Sequence, residues 1–265
     1  MSVFLSTPPK IKKNNLIKWL NSNYNFLNKK KLILKELNSE RDKNFLLTCN
    51  NEDRFVLKIS NTLESKKILD LQDYVLSTLN KRSSIKKIIP KKIHKSIKLY
   101  LDENNCPCSV RILSYIKGMT FANSTHSKEL ECSLGSYIGI LSKELQNLGH
   151  EAAHRTFEWD PSSIGWINDY LNLFKSKQKK IIKKNLCEYE QFINKNINNL
   201  RYSLTHGDPN NYNLVASNNK IVGLLDYGDM IFAPTINDLA ICLAYALMNK
   251  DNLYDSLKRI ILNYH

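Results

Sequence analysis

No run of this chain comes near the roughly 18 unbroken apolar residues that a membrane span needs. The opening residues, Met1 to Lys10, lack the basic start and apolar core of a secretory signal. The two absences predict a cytoplasmic protein with no membrane partner. Cysteine is sparse and unpaired: Cys49, Cys106, Cys108, Cys132, Cys187 and Cys242 contain no C-x-x-C step. That pattern predicts reduced thiols, and C106-P-C108, with no second Cys/His pair nearby, lacks the usual spacing of a metal centre. Arginine is scarce as well, with seven residues against 32 lysines. A net charge of +14 would ordinarily advertise a nucleic-acid partner. Arg, however, is the residue that reads phosphates and bases in bidentate fashion, and the lysines are spread over helix faces such as Lys177 to Lys184. A solvated surface is expected, and no nucleic acid. No repeat of fixed period and no low-complexity linker interrupts the chain.

The 265 residues present, 42% of them hydrophobic, are enough to fill one large domain or two modest lobes. A short amphipathic helix over residues 12–22 precedes three runs of strand-like alternation, Leu32 to Leu37, Asn44 to Cys49 and Arg54 to Ile59, which predict an antiparallel meander. Helical spacing follows over residues 63–79, then two strands over 97–101 and 109–115. Beyond Gly118 the pattern predicts long helices, over about 128–148, 162–177 and 178–198, and two more over 236–248 and 253–262. Asp238 falls in the first turn of one of them, where a carboxylate favours the helix dipole, so a structural role is expected. The fold class predicted is α+β and bilobal: a small antiparallel-sheet lobe, residues 1–116, and a mainly helical lobe, residues 117–265.

The chemistry concentrates in H206-G-D-P-N-N-Y-N213 and L224-L-D-Y-G-D229. The first has the spacing H-x-D-x-x-x-x-N. There Asp208 can accept the proton of a substrate hydroxyl while the amide oxygen of Asn213 reaches a metal ion. In the second, Asp226 ends the apolar run Ile221 to Leu225 and is expected at the end of a strand, where a carboxylate can bridge Mg²⁺ to nucleotide phosphates. An isolated Asp-Pro-Asn-Asn run reads first as a surface turn. Two carboxylate motifs, each beside a predicted strand and joined across an Asn218-Asn219 turn, favour a phosphoryl-transfer site. Lys58, in V56-L-K-I59 ahead of a helix, matches the context of a phosphate-binding lysine.

On these motifs, together with S39-E-R-D-K-N-F45, V110-R-I-L-S-Y-I-K-G118 and H150-E-A-A-H-R-T-F-E-W-D160, the chain resembles the aminoglycoside phosphotransferase and choline kinase superfamily, and within it the hydroxylysine kinase group. The resemblance implies a protein-kinase-like fold, with Asp208 as catalytic base, Asn213 and Asp226 holding Mg²⁺, and Lys58 orienting the phosphates of ATP or GTP. The loop Ser39 to Asn44 would cover the nucleotide through its backbone amides and the Ser39 hydroxyl, since it has no glycine. Ser114, Tyr115 and Ile116 fall where the family's hinge offers backbone groups to the base.

Two departures stand out. By spacing, the helical acid that pairs with the phosphate lysine is replaced by Gln72, so the ion pair becomes a hydrogen bond unless Glu64 or Asp70 takes over. Relatives are also expected to continue beyond the residues that end this sequence. The function expected is a kinase acting on a small amino alcohol, hydroxylysine first. A homoserine, choline or ethanolamine kinase, or a nucleotide-binding pseudokinase, is the alternative. Asp229 either faces the substrate ammonium or sits in a surface turn. His150, His154, Trp159 and Asp160 are expected to serve packing and capping.

Overall fold

The computed structural model describes residues 7–265. The start Met1 to Ser6, which entered the reading of no secretory signal, lies outside the described residues. The chain divides into two compact units, one holding the residues up to Lys81 with Ile89–Lys117, the other Arg82–Ile88 with Gly118–His265.

The first unit opens with α1 (Lys13–Asn23) and continues with β1 (Leu32–Leu37), β2 (Lys43–Cys49), β3 (Asp53–Ile59), α2 (Lys66–Leu79), β4 (Lys98–Leu101) and β5 (Pro107–Ser114). The five strands form one antiparallel sheet in the order β1-β2-β3-β5-β4. Strict alternation sends Phe45, Leu47, Leu57, Ile59, Val110 and Ile112 to one face, where they pack with Leu16 and Leu20 of α1. Asn50 and Asn51 turn β2 into β3 with φ of 51° and 63°, a left-handed pair that asparagine tolerates well. Helix α2 begins at Lys66 rather than near Leu63, because the Asn61 side chain accepts the Leu63 N–H at 2.9 Å and holds the entry in a turn.

The second unit contains β6 (Met119–Thr120), α3 (Lys128–Leu145), α4 (Ser176–Glu188), β7 (Tyr202–Thr205), β8 (Leu214–Ser217), β9 (Lys220–Leu224), β10 (Ile231–Pro234), α5 (Asn237–Ala246) and α6 (Leu253–Tyr264). The helices expected over 162–177 and 178–198 are corrected. The first is a 3-10 helix, Gly165–Leu173, and the second is α4 followed by a π turn, Tyr189–Ile193, and a 3-10 stretch, Asn194–Asn199. The Gln178 side chain accepts the Lys175 N–H at 3.2 Å, which places the start of α4 at Ser176. Past Glu188 no residue of the segment through Asn199 is buried, so no packed face holds it to α-geometry. Two short strands not expected from the sequence, β7 and β10, pair antiparallel and frame the predicted motifs.

Helices α3 and α6 cross closely. A Cβ on Gly135 would stand 2.2 Å from the Ile260 carbonyl oxygen, and one on Gly139 2.3 Å from that of Tyr264. The buried Glu131 carboxylate accepts from Lys250, Ser256 and Arg259. No helix among the described residues is long and apolar enough to cross a membrane.

Candidate active site

Strand β7 delivers the chain into His206-Gly207-Asp208, and the loop is fixed by its backbone. Asp238, fully buried at the start of α5, accepts the His206 N–H at 2.8 Å through Oδ2 and the Gly207 N–H at 3.0 Å through Oδ1. The structural role expected for Asp238 from the helix dipole is therefore a different one: it anchors the loop. Burial, opposed by these two bonds, pushes its carboxyl up to about 6. His206 Nε2 lies 3.1 Å from the Leu225 carbonyl oxygen, which can only accept, so Nδ1 is the ring's acceptor and receives the Asp208 N–H at 3.3 Å. Gly207 adopts φ +82°, and a Cβ there would meet the Asp229 carbonyl oxygen at 2.2 Å. Both conformation and space require glycine.

The Asp208 carboxylate is cradled by amides. Asn210 Nδ2 donates to both of its oxygens at 2.9 Å, and Asn213 Nδ2 donates to Oδ2 and to the Asp208 carbonyl, each at 2.9 Å. Two acceptors around Asn213 Nδ2 fix the orientation of that amide, so its oxygen is turned away from them. Asn210 Oδ1 accepts the N–H groups of Tyr212 and Asn213, which shapes the turn from Asp208 to β8. Burial, followed by the negative charge of Asp229, raises the Asp208 carboxyl to about 7. Asp226 adds to the rise, and the two asparagine donors oppose it.

Asp226 stands two residues past the end of β9, with φ 55° and ψ 86°. That left-handed backbone is sparsely populated for residues other than glycine, and Asp is among those that tolerate it. A 3-10 turn, Tyr227–Asp229, follows and leads into β10. Arg155 Nη2 donates to the carbonyl oxygens of Gly228 and Met230, both at 3.0 Å, and so holds both sides of Asp229. The turn expected around Gly228 and Asp229 is thus present, and it brings a third carboxylate to Asp208. His150 caps the 3-10 turn Glu151–Ala153 by accepting the Ala152 N–H, and His154 packs on Phe232. Asp160 accepts from the Ser162 N–H and from Asn237. These contacts are packing and capping, as expected. Asn210 and Arg155 were missed as site residues. Both lie inside motifs quoted above, but whereas the Asn210 contact is local, Arg155 acts across more than 70 residues, a pairing that no local spacing reveals.

The remaining predicted site residues belong to the first unit. On the sheet face opposite α1, Asn44, Lys58 and Arg111 stand directly across from one another in β2, β3 and β5. The next row on that face is Leu46, Val56 and Leu113. Asn44 Nδ2 donates to Ser39 Oγ at 3.2 Å, so two residues of the predicted nucleotide loop meet. Asp42 ties the same loop to the end of β3 through the Asn61 N–H at 3.0 Å. Gln72, expected to meet Lys58, directs Oε1 to Arg111 Nη1 at 2.7 Å. Ser114 exchanges bonds with Lys91: its N–H donates to the Lys91 carbonyl and its Oγ accepts the Lys91 N–H. Tyr115 lies under the Arg54 guanidinium, 5.9 Å from the ring centre, and Ile116 follows it, half-buried.

The first unit carries an antiparallel sheet with its helices, and the second a hairpin bordered by aspartate and asparagine. The model of the phosphotransferase enzyme family matches residues 33–259, and the chain belongs to that family. A hydroxylysine kinase of Danio rerio is 26% identical over 240 residues, which cover 84% of this chain and 67% of the relative. The chain thus spans about two thirds of that relative's length. Among solved structures, a microcompartment-associated aminopropanol kinase superposes with a TM-score of 0.72 at 15% identity, covering 95% of this chain and 80% of its own. An amicoumacin kinase in complex with AMP-PNP and Ca²⁺ gives 0.66 at 15% identity, over 87% and 70%.

Proposed function

We propose that this phosphotransferase moves the terminal phosphoryl group of ATP or GTP, with Mg²⁺, onto the hydroxyl of an amino-bearing metabolite of the hydroxylysine type. The observation that carries the reading is the Asp208 carboxylate, held by Asn210 and Asn213 with two further carboxylates near it. In the proposed reaction the substrate hydroxyl gives its proton to Asp208, its oxygen bonds to the terminal phosphorus, and the bond to the bridging oxygen breaks to release nucleoside diphosphate. The donor set suits a hard cation: the Asn213 amide oxygen points away from Asp208, and Asp226 supplies a carboxylate. Those two residues would hold Mg²⁺, which supplies charge neutralisation at the phosphates.

The residues up to Ile116 are assigned as the nucleotide-binding lobe and residues 117–265 as the lobe carrying the catalytic loop. Lys58 is given the phosphates, with Ser39 and Asn44 beside them. Because the Ser114 N–H is already engaged, donors to the base are assigned to Tyr115 and Ile116. Asp229 is assigned to the substrate ammonium, which fits the amino alcohols named for the Danio rerio relative and the aminopropanol kinase.

A coupled assay of nucleotide consumption against hydroxylysine, aminopropanol, homoserine, choline and ethanolamine tests the reading. Turnover with at least one of them, falling by roughly 10² to 10⁴ in Asp208→Asn at little change in nucleotide affinity, is expected. Nucleotide binding without consumption for every acceptor would leave a pseudokinase.

A further inference from the structure

Arg111 lies within β5, 4% exposed, and makes a single hydrogen bond, from Nη1 to the neutral amide of Gln72. Its Nε is buried without an acceptor, and among the described residues no carboxylate stands within ion-pair reach of it. Directly across the ladder is Lys58, 7% exposed, and beyond it Asn44, whose Oδ1 is buried with no donor. The sheet face therefore presents two adjacent buried cations between two amides.

A guanidinium taken out of water without an anion is costly. A purely structural side chain at this position would be better served by a carboxylate at position 72 or by an uncharged residue at 111. The cost is removed when a ligand brings negative charge to Arg111. The guanidinium edge that Gln72 leaves unused has the fork geometry that matches phosphate oxygens. The Asn44 to Ser39 bond ties the same row to the loop assigned to the nucleotide.

We infer that Arg111 is a second phosphate-binding residue beside Lys58, contacting the nucleotide's phosphates through the guanidinium edge that Gln72 does not occupy. The inference rests on the nucleotide-dependent reading above. It predicts that Gln72 is uncharged because a glutamate there would satisfy Arg111 internally and compete with the ligand.

Calorimetry on the full chain tests it, with the magnesium triphosphates and the parent nucleosides of the adenine and guanine series. Arg111→Met should weaken triphosphate binding about tenfold or more, with nucleoside affinity changed by less than about twofold, and Arg111→Lys, which keeps the charge but not the fork, should weaken triphosphate binding less than Arg111→Met does. Gln72→Glu should raise the melting temperature and weaken triphosphate binding. Unchanged triphosphate affinity in Arg111→Met overturns the inference, as does an equal loss for nucleoside and triphosphate. If Arg111→Met does not fold, Gln72→Glu decides: undiminished triphosphate affinity in that variant overturns the inference too. A wild-type chain that binds no triphosphate defeats the nucleotide-dependent reading itself, whereas wild-type binding that is indifferent to Arg111 defeats only this inference.

Discussion

Asp238 receives the His206 N–H at 2.8 Å, and through its other oxygen the neighbouring Gly207 N–H at 3.0 Å, so the loop that carries Asp208 hangs from the first turn of α5. Removing that carboxylate leaves two buried donors unmet. Asp238→Ala should lose about 2–4 kcal/mol of stability in chemical denaturation and lower turnover more than it changes nucleotide affinity. A variant as stable as the wild type would remove Asp238 from the anchoring role.

The acid–base behaviour of Asp208 gives a second prediction. Its carboxyl is raised from 3.8 to about 7 by burial first and by the Asp229 charge second. The native state therefore holds this proton more tightly than the unfolded chain does. The stability it contributes is complete below about 4 and is lost as pH rises through about 7. Metal-free protein should melt at progressively lower temperature across that window, and Asp208→Asn should flatten the decline. Asp229→Asn removes a negative neighbour, so the Asp208 titration should move to lower pH, read by carboxyl NMR of the metal-free chain. An unmoved titration would show that Asp229 does not act on Asp208.

Asp226 offers a way to separate charge from backbone. Asparagine tolerates the left-handed conformation at φ 55°, whereas alanine there costs about 1–2 kcal/mol. Asp226→Asn and Asp226→Ala should both weaken magnesium–nucleotide binding by at least about 10- to 100-fold, and only the alanine variant should also melt lower. Calorimetry showing wild-type affinity in both would take Asp226 out of the metal site.

Much of this was legible in the residues. The strands of the first sheet announced themselves through alternation because one face packs on α1 and the other does not, and Leu32–Leu37 is found where the pattern put it. The spacing from Asp208 to Asn213 is local, and local geometry brings the two side chains together. The 3-10 helix at Gly165–Leu173 escaped notice because its apolar residues keep helical spacing while only Leu171 is buried, so spacing without a partner surface misled. Strands β7 and β10, four residues each, are too short to show alternation above chance, and their pairing spans 26 to 32 residues of sequence. Arg155 and Asp238 act on backbone carbonyls and amides, groups every residue has, so the sequence marked their positions but not the loops they hold.

Gly207 pressed against the Asp229 carbonyl, His206 bonded to Leu225 and Arg155 gripping Gly228 and Met230 join the two acid-bearing loops into one braced body. The brace has an electrical consequence. It keeps Asp208 buried, the larger cause of its raised proton affinity, with Asp229 and Asp226 near enough to add to that rise. Under the proposed reading, a cation settling beside Asp208, on a metal ion or on a substrate ammonium, would draw its proton affinity back down while the braced backbone stays where it is.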